Sequence, residues 1–187
     1  MGSSLAQNLL VDGHTVAIID RRTEAFRRLP TDFAGTTIQG IGFDRDRLID
    51  GTAVRDGDYV IGLPSAGVHA NGFTLVRSVL EVEDYDGPDL LAATRLYLDD
   101  VRRLRGTAHG FAHVTGGGIE GNLSRVVPDG LRAELDWGAW ERPPVFAWLA
   151  CHVEEEEARR VFNLGIGYCA VVPEPGDDLV IGRIVTA

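Results

Sequence analysis

The chain has 187 residues, of which 44% are hydrophobic and 25% charged, and 28 acidic residues outweigh 18 basic ones to give a formal net charge of -10. This composition is typical of soluble globular proteins and excludes disordered and collagen-like chains, while the negative charge argues against a broad nucleic-acid-binding surface. No apolar run approaches the roughly 18 residues of a membrane span, and no signal-peptide pattern opens the chain, so we expect a cytoplasmic protein with neither a nucleic-acid nor a membrane partner.

The first part of the chain alternates helical and strand patterns and starts on a helix. Hydrophobic periodicity predicts, in order, a helix over 3–11, a strand over 15–20, a helix over 23–29 and a strand over 36–39. The composition then turns to Gly and Asp before a new strand begins at Asp58. We therefore predict two domains, residues 1–46 and residues 47–187, the first with a βαβ-type rhythm.

The second part of the chain mixes both patterns throughout. Helices are predicted over 71–83, 89–104, 118–126, 144–151 and 154–162, and strands over 58–62, 110–114, 131–135, 168–172 and 179–185. Asn71 is a candidate N-cap for the first of these helices. The order of elements predicts an α/β fold class in which helices cover a sheet.

All 18 strongly basic residues are arginines, because the sequence contains no lysine. Schiff-base lysines and a lysine-dependent P-loop are therefore excluded, and neutralising a phosphate is left to arginine, backbone N–H groups or a metal. The two cysteines, Cys151 and Cys169, lack the spacing of a zinc site or a disulfide framework. We expect both thiols in the core and no protein-held metal.

The N-terminal run from Gly2 to Asp20 resembles the dinucleotide-binding domain of potassium-uptake regulators, the TrkA N-terminal type. Gly2 matches the last glycine of the family's G-x-G-x-x-G turn, and Asp20 matches the acid that binds the adenine ribose. The family's first strand and two earlier glycines are missing from this sequence, so the resemblance implies a truncated Rossmann-like fragment. Asp20 is thus a candidate nucleotide ligand, with capping of a strand or turn as the alternative.

Three Gly-centred segments mark the rest of the chain: Gly62-Leu-Pro-Ser-Ala-Gly-Val-His-Ala-Asn-Gly-Phe-Thr-Leu-Val-Arg77, His113-Val-Thr-Gly-Gly-Gly118 and Phe162-Asn-Leu-Gly-Ile-Gly167. Each segment places a polar side chain beside glycines that let a ligand approach the backbone. Loops of this kind suit phosphate binding, because several N–H groups can point at one anion.

These segments, with Thr94-Arg95, Tyr97 and Asn122-Leu-Ser-Arg125, resemble in order the C-terminal domain of AIR synthetase, the phosphoribosylformylglycinamidine cyclo-ligase of purine biosynthesis. In that family ATP activates the formyl amide oxygen of a ribosyl phosphate, and an internal nitrogen closes the imidazole ring with loss of phosphate. The resemblance implies a layered α/β domain, a small ribosyl phosphate as substrate, and ATP and Mg as cofactors.

The sequence does not match the family's N-terminal domain, which supplies most of the ATP site. The two resemblances together predict a chimera whose cyclo-ligase activity is incomplete when the chain stands alone. A nucleotide-binding regulatory module related to the potassium-uptake regulators is the alternative. The resemblance leaves a homodimer open.

The candidate catalytic residues implied by the resemblance are His69, Asn71 and His113, which could hydrogen-bond substrate or relay a proton. Capping of a helix is the alternative for Asn71, and a satisfied core histidine is the alternative for His113.

The candidate substrate and phosphate ligands carry hydroxyl, amide or guanidinium groups or open backbone N–H groups: Ser65, Gly67, Thr115, Gly116, Gly117, Gly118, Arg125 and Asn163. The run from Thr115 to Gly118 precedes a predicted helix start and offers successive N–H donors. The alternative is a strand-to-helix turn that binds no ligand, which would have the same sequence pattern. Arg125 could instead form a surface salt bridge, and Asn163 could fix its own loop.

Overall fold

The computed structural model describes residues 49–187 throughout, together with Val11, residues 16–20, Arg27, residues 29–30 and residues 33–39. The chain divides into two compact units, residues 1–48 and residues 49–187. The sequence places its domain boundary two residues earlier, and whether these units are separate domains stays a prediction.

In the first unit two short strands run parallel. Strand β1 spans Ala17–Asp20 and strand β2 spans Thr36–Gln39, with Ala17 opposite Thr36 and Asp20 opposite Gln39. A parallel pair needs a crossover connection between its strands. The helices predicted over 3–11 and 23–29 lie largely outside the described residues, so the Rossmann-like interpretation stays a prediction.

The second unit is built on a five-stranded antiparallel sheet. Its strands are β3 Tyr59–Pro64, β4 Gly110–His113, β5 Leu131–Leu135, β6 Ile166–Val172 and β7 Val180–Thr186. They are ordered β4-β6-β3-β7-β5, so the connection from β6 to β7 passes over the central strand β3. Four consecutive buried residues in β3 follow from this central place, because neither of its faces meets solvent.

Five helices accompany the sheet: α1 Phe73–Leu80, α2 Leu98–Leu104, α3 Gly118–Leu123, α4 Pro144–Leu149 and α5 Glu155–Val161. Ile119 and Leu123 of α3 pack with Cys169 in one core cluster, and Leu104 of α2 packs with Ala170 in another. A third cluster joins α1, α4 and α5. Among the described residues, no helix has the length and apolar character needed to cross a membrane.

The predicted helix over 89–104 is wrong in its first half, because α2 begins only at Leu98. Tertiary contacts hold the earlier part in an irregular path: the Asp89 carboxylate accepts a hydrogen bond from the backbone nitrogen of Val145 at 2.9 Å. Leu96 is 88% exposed, so it does not supply the buried face that the hydrophobic spacing predicted. Contacts with distant residues have overridden the local pattern.

The prediction that Asn71 caps helix α1 is also wrong. The N-cap is Gly72, which has a left-handed φ of 70° and makes no side-chain capping bond. The Asn71 amide nitrogen instead donates to the carbonyl oxygen of Val114 at 3.2 Å. The side chain is therefore committed to the end of β4 rather than to its own helix.

The two thiols differ in environment. Cys169 is fully buried, and desolvation raises its pKa to about 12. Cys151 is exposed, so the prediction of a core position is wrong for this residue. Cys151 lies two residues beyond the end of α4 at Leu149, in a turn whose residues 150–152 are exposed.

Candidate functional site

The amide of Asn163 holds together two of the Gly-centred segments. Its nitrogen donates to the carbonyl oxygens of Gly67 (2.9 Å) and Val68 (3.1 Å), and its oxygen accepts from the backbone nitrogen of Gly165 at 2.9 Å. The hydroxyl of Ser65 lies 3.0 Å from the same amide oxygen. Asn163 is 0% exposed and its amide is fully used inside the protein. This geometry favours loop fixation, the alternative that the sequence left open.

His69 occupies a strained position in the first segment. It has a φ of 58°, a left-handed value that costs a residue with a side chain about 1 kcal/mol or more and that often marks functional sites. Its Nε2 atom lies 3.0 Å from the backbone nitrogen of Ala66 and 3.4 Å from that of Arg95. Burial, and to a smaller degree the charge of His113, hold the pKa of His69 below its usual range. The ring is therefore neutral near pH 7.

Residues 91–97, which we name the strap, cross over this first segment. The hydroxyl of Tyr97 donates to the carbonyl oxygen of Pro64 at 3.0 Å, and the Arg95 guanidinium reaches the same oxygen at 3.2 Å. Arg95 also pairs with Asp100 at 2.9 Å. Desolvation raises the pKa of Tyr97 to about 12, so its hydroxyl remains a donor across the physiological range.

A group of aromatic rings continues from the strap onto the sheet. The ring of Tyr168 stacks on Tyr97 with centroids 5.1 Å apart and on His113 with centroids 5.7 Å apart. Tyr168 and His113 are cross-strand neighbours on β6 and β4, which places both rings on one face. His113 is exposed, so the prediction's alternative of a core histidine is wrong.

The three Gly-centred segments meet at the end of β4. The Asn71 amide bonds to the carbonyl oxygen of Val114, while the backbone nitrogen of Val114 donates to the carbonyl oxygen of Gly167 at 3.0 Å. Val114 thus contacts the first segment through its oxygen and the third through its nitrogen. His69 and His113 flank this point, each about 6 Å from the Tyr97 ring.

The glycine loop, residues 115–118, is shaped by a buried asparagine. The amide nitrogen of Asn122 donates to the carbonyl oxygens of Thr115 (3.2 Å) and Gly118 (2.7 Å). Its amide oxygen accepts from the Thr115 hydroxyl at 3.2 Å. The backbone N–H of Gly118 donates to the carbonyl oxygen of Thr115 at 3.2 Å, so the N–H groups of Gly116 and Gly117 are the ones left to face outward.

The loop has a packed side and an open side. A methyl group on Gly118 would lie 1.8 Å from the carbonyl oxygen of Arg159, so only glycine allows this close approach to α5. Gly116 and Gly117 are exposed, and their N–H groups have no hydrogen-bond partner among the described residues. The Arg125 guanidinium approaches Gly117 and makes no ion pair with any described residue. This open side can take an anion.

The structure therefore groups most of the predicted site residues. Those gathered near the end of β4 are His69, Asn71, His113, Thr115, Gly116, Gly117 and Arg125. Gly67, Gly118 and Asn163 lie buried behind them, and Ser65 is half-buried beside Asn163. Asp20 ends β1 in the first unit, and its side chain lies outside the described residues.

Residues 55–182 match the family model described as AIR synthase related protein, C-terminal domain. This chain belongs to the AIR synthase related family. It is 44% identical over 167 residues to the phosphoribosylformylglycinamidine cyclo-ligase of Synechococcus sp. (strain CC9605), with 80% of this chain and 48% of that protein covered. The protein of the same name from Burkholderia cenocepacia (strain HI2424) is 39% identical over 170 residues, with 83% and 48% covered.

The chain spans about half the length of the curated AIR synthase relatives it matches. Residues 49–187 make up about three quarters of the chain, which is less than the 80% that aligns with the Synechococcus relative. The similarity to the cyclo-ligases therefore reaches back into residues 1–48.

The sequence did not point to three residues that lie in this candidate site. Arg95, Tyr97 and Asn122 belong to motifs that carried the resemblance, and that membership was the available signal. Their roles depend on contacts with Pro64, His69 and the glycine loop, which no local spacing predicts.

Proposed function

We propose that this chain is a phosphoribosylformylglycinamidine cyclo-ligase-like protein of de novo purine biosynthesis, and that residues 49–187 hold the ribosyl phosphate substrate of ATP-dependent imidazole ring closure. The observation that carries the proposal is the meeting of three distant Gly-centred segments at Val114 in a chain of this family. The shared name of its relatives supports the choice of reaction.

We assign the substrate phosphate to the open side of the glycine loop. The N–H groups of Gly116 and Gly117 supply neutral donors. The unpaired guanidinium of Arg125 supplies the positive charge that neutralises the phosphate, which no lysine can supply in this chain. Ring closure also requires a proton to leave the attacking nitrogen. His113 is exposed and can exchange protons with solvent, and Asn71 is oriented by Val114 beside it.

The cofactors implied by the family resemblance are ATP and Mg. The described residues contain no group of three or more His, Cys, Asp or Glu side chains arranged for a metal ion. No step proposed for this chain therefore runs through Mg²⁺. We propose that the chain alone binds the substrate phosphate without completing turnover, since it spans about half the length of its relatives.

Titration calorimetry with phosphoribosylformylglycinamidine tests the binding assignment. Arg125→Ala should weaken binding about tenfold or more, because a charge-assisted contact to phosphate contributes on the order of 1.5–3 kcal/mol. Arg102→Ala is the matched control, since Arg102 lies on the exposed surface of α2 and pairs with Asp99. Equal loss in both variants, or failure of the unsubstituted chain to bind, would contradict the proposal.

An assay for ATP-dependent formation of aminoimidazole ribotide tests completeness. Purified chain should bind substrate and show no sustained turnover. Robust turnover by the chain alone would overturn the proposed incompleteness while leaving the substrate assignment in place.

For the N-terminal run from Gly2 to Asp20 we propose the second candidate, a chimeric fragment that binds a nucleotide as TrkA-type domains do. The parallel pairing of β1 with β2, with Asp20 ending the first strand, favours it. Calorimetry with NAD, ATP and AMP tests it: Asp20→Ala should abolish nucleotide binding and leave binding of phosphoribosylformylglycinamidine unchanged. Binding that survives Asp20→Ala would exclude this regulatory function.

We further propose a cytoplasmic homodimer. Strands β4 and β5 lie at the two edges of the sheet in the second unit, and a strand with an open edge favours pairing with another copy. Size-exclusion chromatography with light scattering should give twice the mass of the 20.3 kDa chain, and a monomer at micromolar concentration would contradict the dimer.

A further inference from the structure

The two ring nitrogens of His69 have unlike surroundings. Nε2 faces two donors, the backbone N–H groups of Ala66 at 3.0 Å and Arg95 at 3.4 Å. Nδ1 is buried and has no hydrogen-bond partner, and the residue as a whole is 6% exposed. A buried polar side-chain atom without a partner is uncommon in folded proteins, and in a candidate site it points to a ligand.

The surroundings of Nε2 decide the tautomer. A backbone N–H can only donate, so Nε2 must keep its lone pair and the hydrogen of the neutral ring must lie on Nδ1. A proton on Nε2 would face two other N–H groups. His69 is therefore prevented from acting as a general base through Nε2, and the group it offers is the Nδ1 N–H.

The Nδ1 atom is enclosed by Gly167 and Tyr97, which pack closely against the His69 ring. A methyl group on Gly167 would come 3.1 Å from Nδ1 and 2.1 Å from the hydroxyl oxygen of Tyr97. Tyr97 and Arg95 belong to the strap, whose attachment to Pro64 consists of two hydrogen bonds of 3.0 and 3.2 Å. Leu91 of the strap is 81% exposed and does not anchor it.

We propose that the Nδ1 N–H of His69 donates a hydrogen bond to an uncharged carbonyl oxygen of the ligand. This oxygen reaches Nδ1 when the strap shifts. This inference rests on the proposed function, in which the ligand is phosphoribosylformylglycinamidine. The acceptor is then the formyl amide oxygen of that ligand. A phosphate is a poorer match, since it would favour a cationic ring that the donors around Nε2 disfavour. The phosphate has Arg125 instead. His69 thus holds the oxygen that is to be activated and positions it for ring closure.

Two substitutions separate the nitrogens. In His69→Gln the side-chain amide oxygen can take the place of Nε2 and still accept from Ala66, while the donor at the Nδ1 position is lost. In His69→Asn the amide nitrogen can take the place of Nδ1, while the acceptor for Ala66 is lost. His152→Gln is the control, because His152 is paired with Glu83 on the surface.

Calorimetry on the full chain compares phosphoribosylformylglycinamidine with ribose 5-phosphate, which lacks the formyl group. His69→Gln should keep a melting temperature close to that of the unsubstituted chain, bind phosphoribosylformylglycinamidine about tenfold more weakly, and bind ribose 5-phosphate unchanged. His69→Asn should melt lower and lose less affinity for phosphoribosylformylglycinamidine. If His69 only holds the loops in place, His69→Gln will bind both probes as tightly as the unsubstituted chain, and the inference fails.

Nitrogen-15 NMR of the histidine side chains reads the tautomer in the unsubstituted protein and does not depend on any variant folding. The chain has five histidines, and the signal missing from His69→Gln identifies the residue. We expect a pyrrole-type Nδ1 and a pyridine-type Nε2 at pH 7; the reverse pattern would overturn the inference. If the unsubstituted chain binds neither probe, the proposed function is overturned. If His69→Gln binds both probes as tightly as the unsubstituted chain does, only the donor role of His69 is overturned.

Discussion

The amide nitrogen of Asn163 lies 2.9 Å from the carbonyl oxygen of Gly67, and this bond joins positions 96 residues apart. With its partner bond to Val68 it fixes the first Gly-centred segment against the third. The candidate site therefore depends on a buried side chain that need not contact any ligand.

Asn163→Ala should destabilise the second unit by about 3 kcal/mol, because it leaves buried carbonyl and N–H groups without partners. Urea unfolding followed by tryptophan fluorescence measures this, since all three tryptophans lie beyond residue 48. Ser78→Ala is the control, because the exposed Ser78 hydroxyl bonds only within α1. A loss below about 1 kcal/mol for Asn163→Ala would show that water replaces the amide.

Gly118→Ala should cost about 2 kcal/mol or more of stability, because the added methyl group meets the carbonyl oxygen of Arg159 and the φ of 65° is left-handed. At Gly116 the same methyl group meets open space, so Gly116→Ala should leave the melting temperature unchanged. Differential scanning calorimetry compares the two. Equal destabilisation would mean that the packed and open sides of the loop are assigned wrongly.

Glu155 should contribute a pH-dependent share of stability. Its bond to Arg142, and secondarily that to Arg159, lowers the pKa of the carboxyl from 4.5 to about 2. A lowered carboxyl pKa stabilises the fold above the unfolded value, and this contribution disappears as the pH falls from about 4.5 to about 2. Since the side chain is 45% exposed, solvent screening limits the effect to about 1 kcal/mol.

Urea unfolding of Glu155→Gln at several pH values checks this contribution. The variant should be less stable than the unsubstituted chain at pH 7, and the difference should shrink toward pH 2. Glu156→Gln is the matched control, because the Glu156 side chain is 86% exposed. A difference that stays constant with pH would contradict the ion-pair explanation.

Tyr97→Phe should loosen the strap, because it removes the hydrogen bond to Pro64. We expect the amide of Arg95, which donates to His69, to exchange its hydrogen about tenfold faster. Hydrogen exchange followed by NMR or mass spectrometry measures it. Tyr59→Phe is the control, since the Tyr59 hydroxyl bonds to Arg183 elsewhere on the sheet. Unchanged exchange in Tyr97→Phe would show that the bonds of Arg95 and the stacking of the Tyr97 ring hold the strap without the Tyr97 hydroxyl.

One of the two thiols should react with a disulfide reagent in the native protein at pH 8. Cys151 is exposed, whereas burial raises the pKa of Cys169 to about 12 and shields it. The second thiol should react only after unfolding in guanidinium. Cys151→Ser should abolish the native reaction, and rapid labelling in that variant would contradict the burial of Cys169.

Local pattern was enough to predict the strands of the second unit and several of its helices. The strand predicted over 179–185 is β7 at Val180–Thr186, because alternation along a sheet is a property of neighbouring residues. The first part of the helix predicted over 89–104 failed because Asp89 and Tyr97 are held by distant partners. The motifs predicted most of the residues that gather near the end of β4, and their role as a site stays a prediction. The tautomer of His69 could not be predicted, because it depends on contacts with the backbone of Ala66 and Arg95.

The central place of β3 has a consequence for how the second unit assembles. Leu63 pairs with Tyr168 and Tyr59 pairs with Arg183, so both neighbours of this strand are synthesised more than a hundred residues after it. During synthesis both edges of β3 remain unpaired while β4 and β5 emerge, because neither β4 nor β5 is a neighbour of β3 in the final sheet. Contacts of such long range slow folding and lengthen the time in which a nascent chain can aggregate. Assembly of the sheet is therefore a late event, and chaperone demand should peak before β6 has left the ribosome.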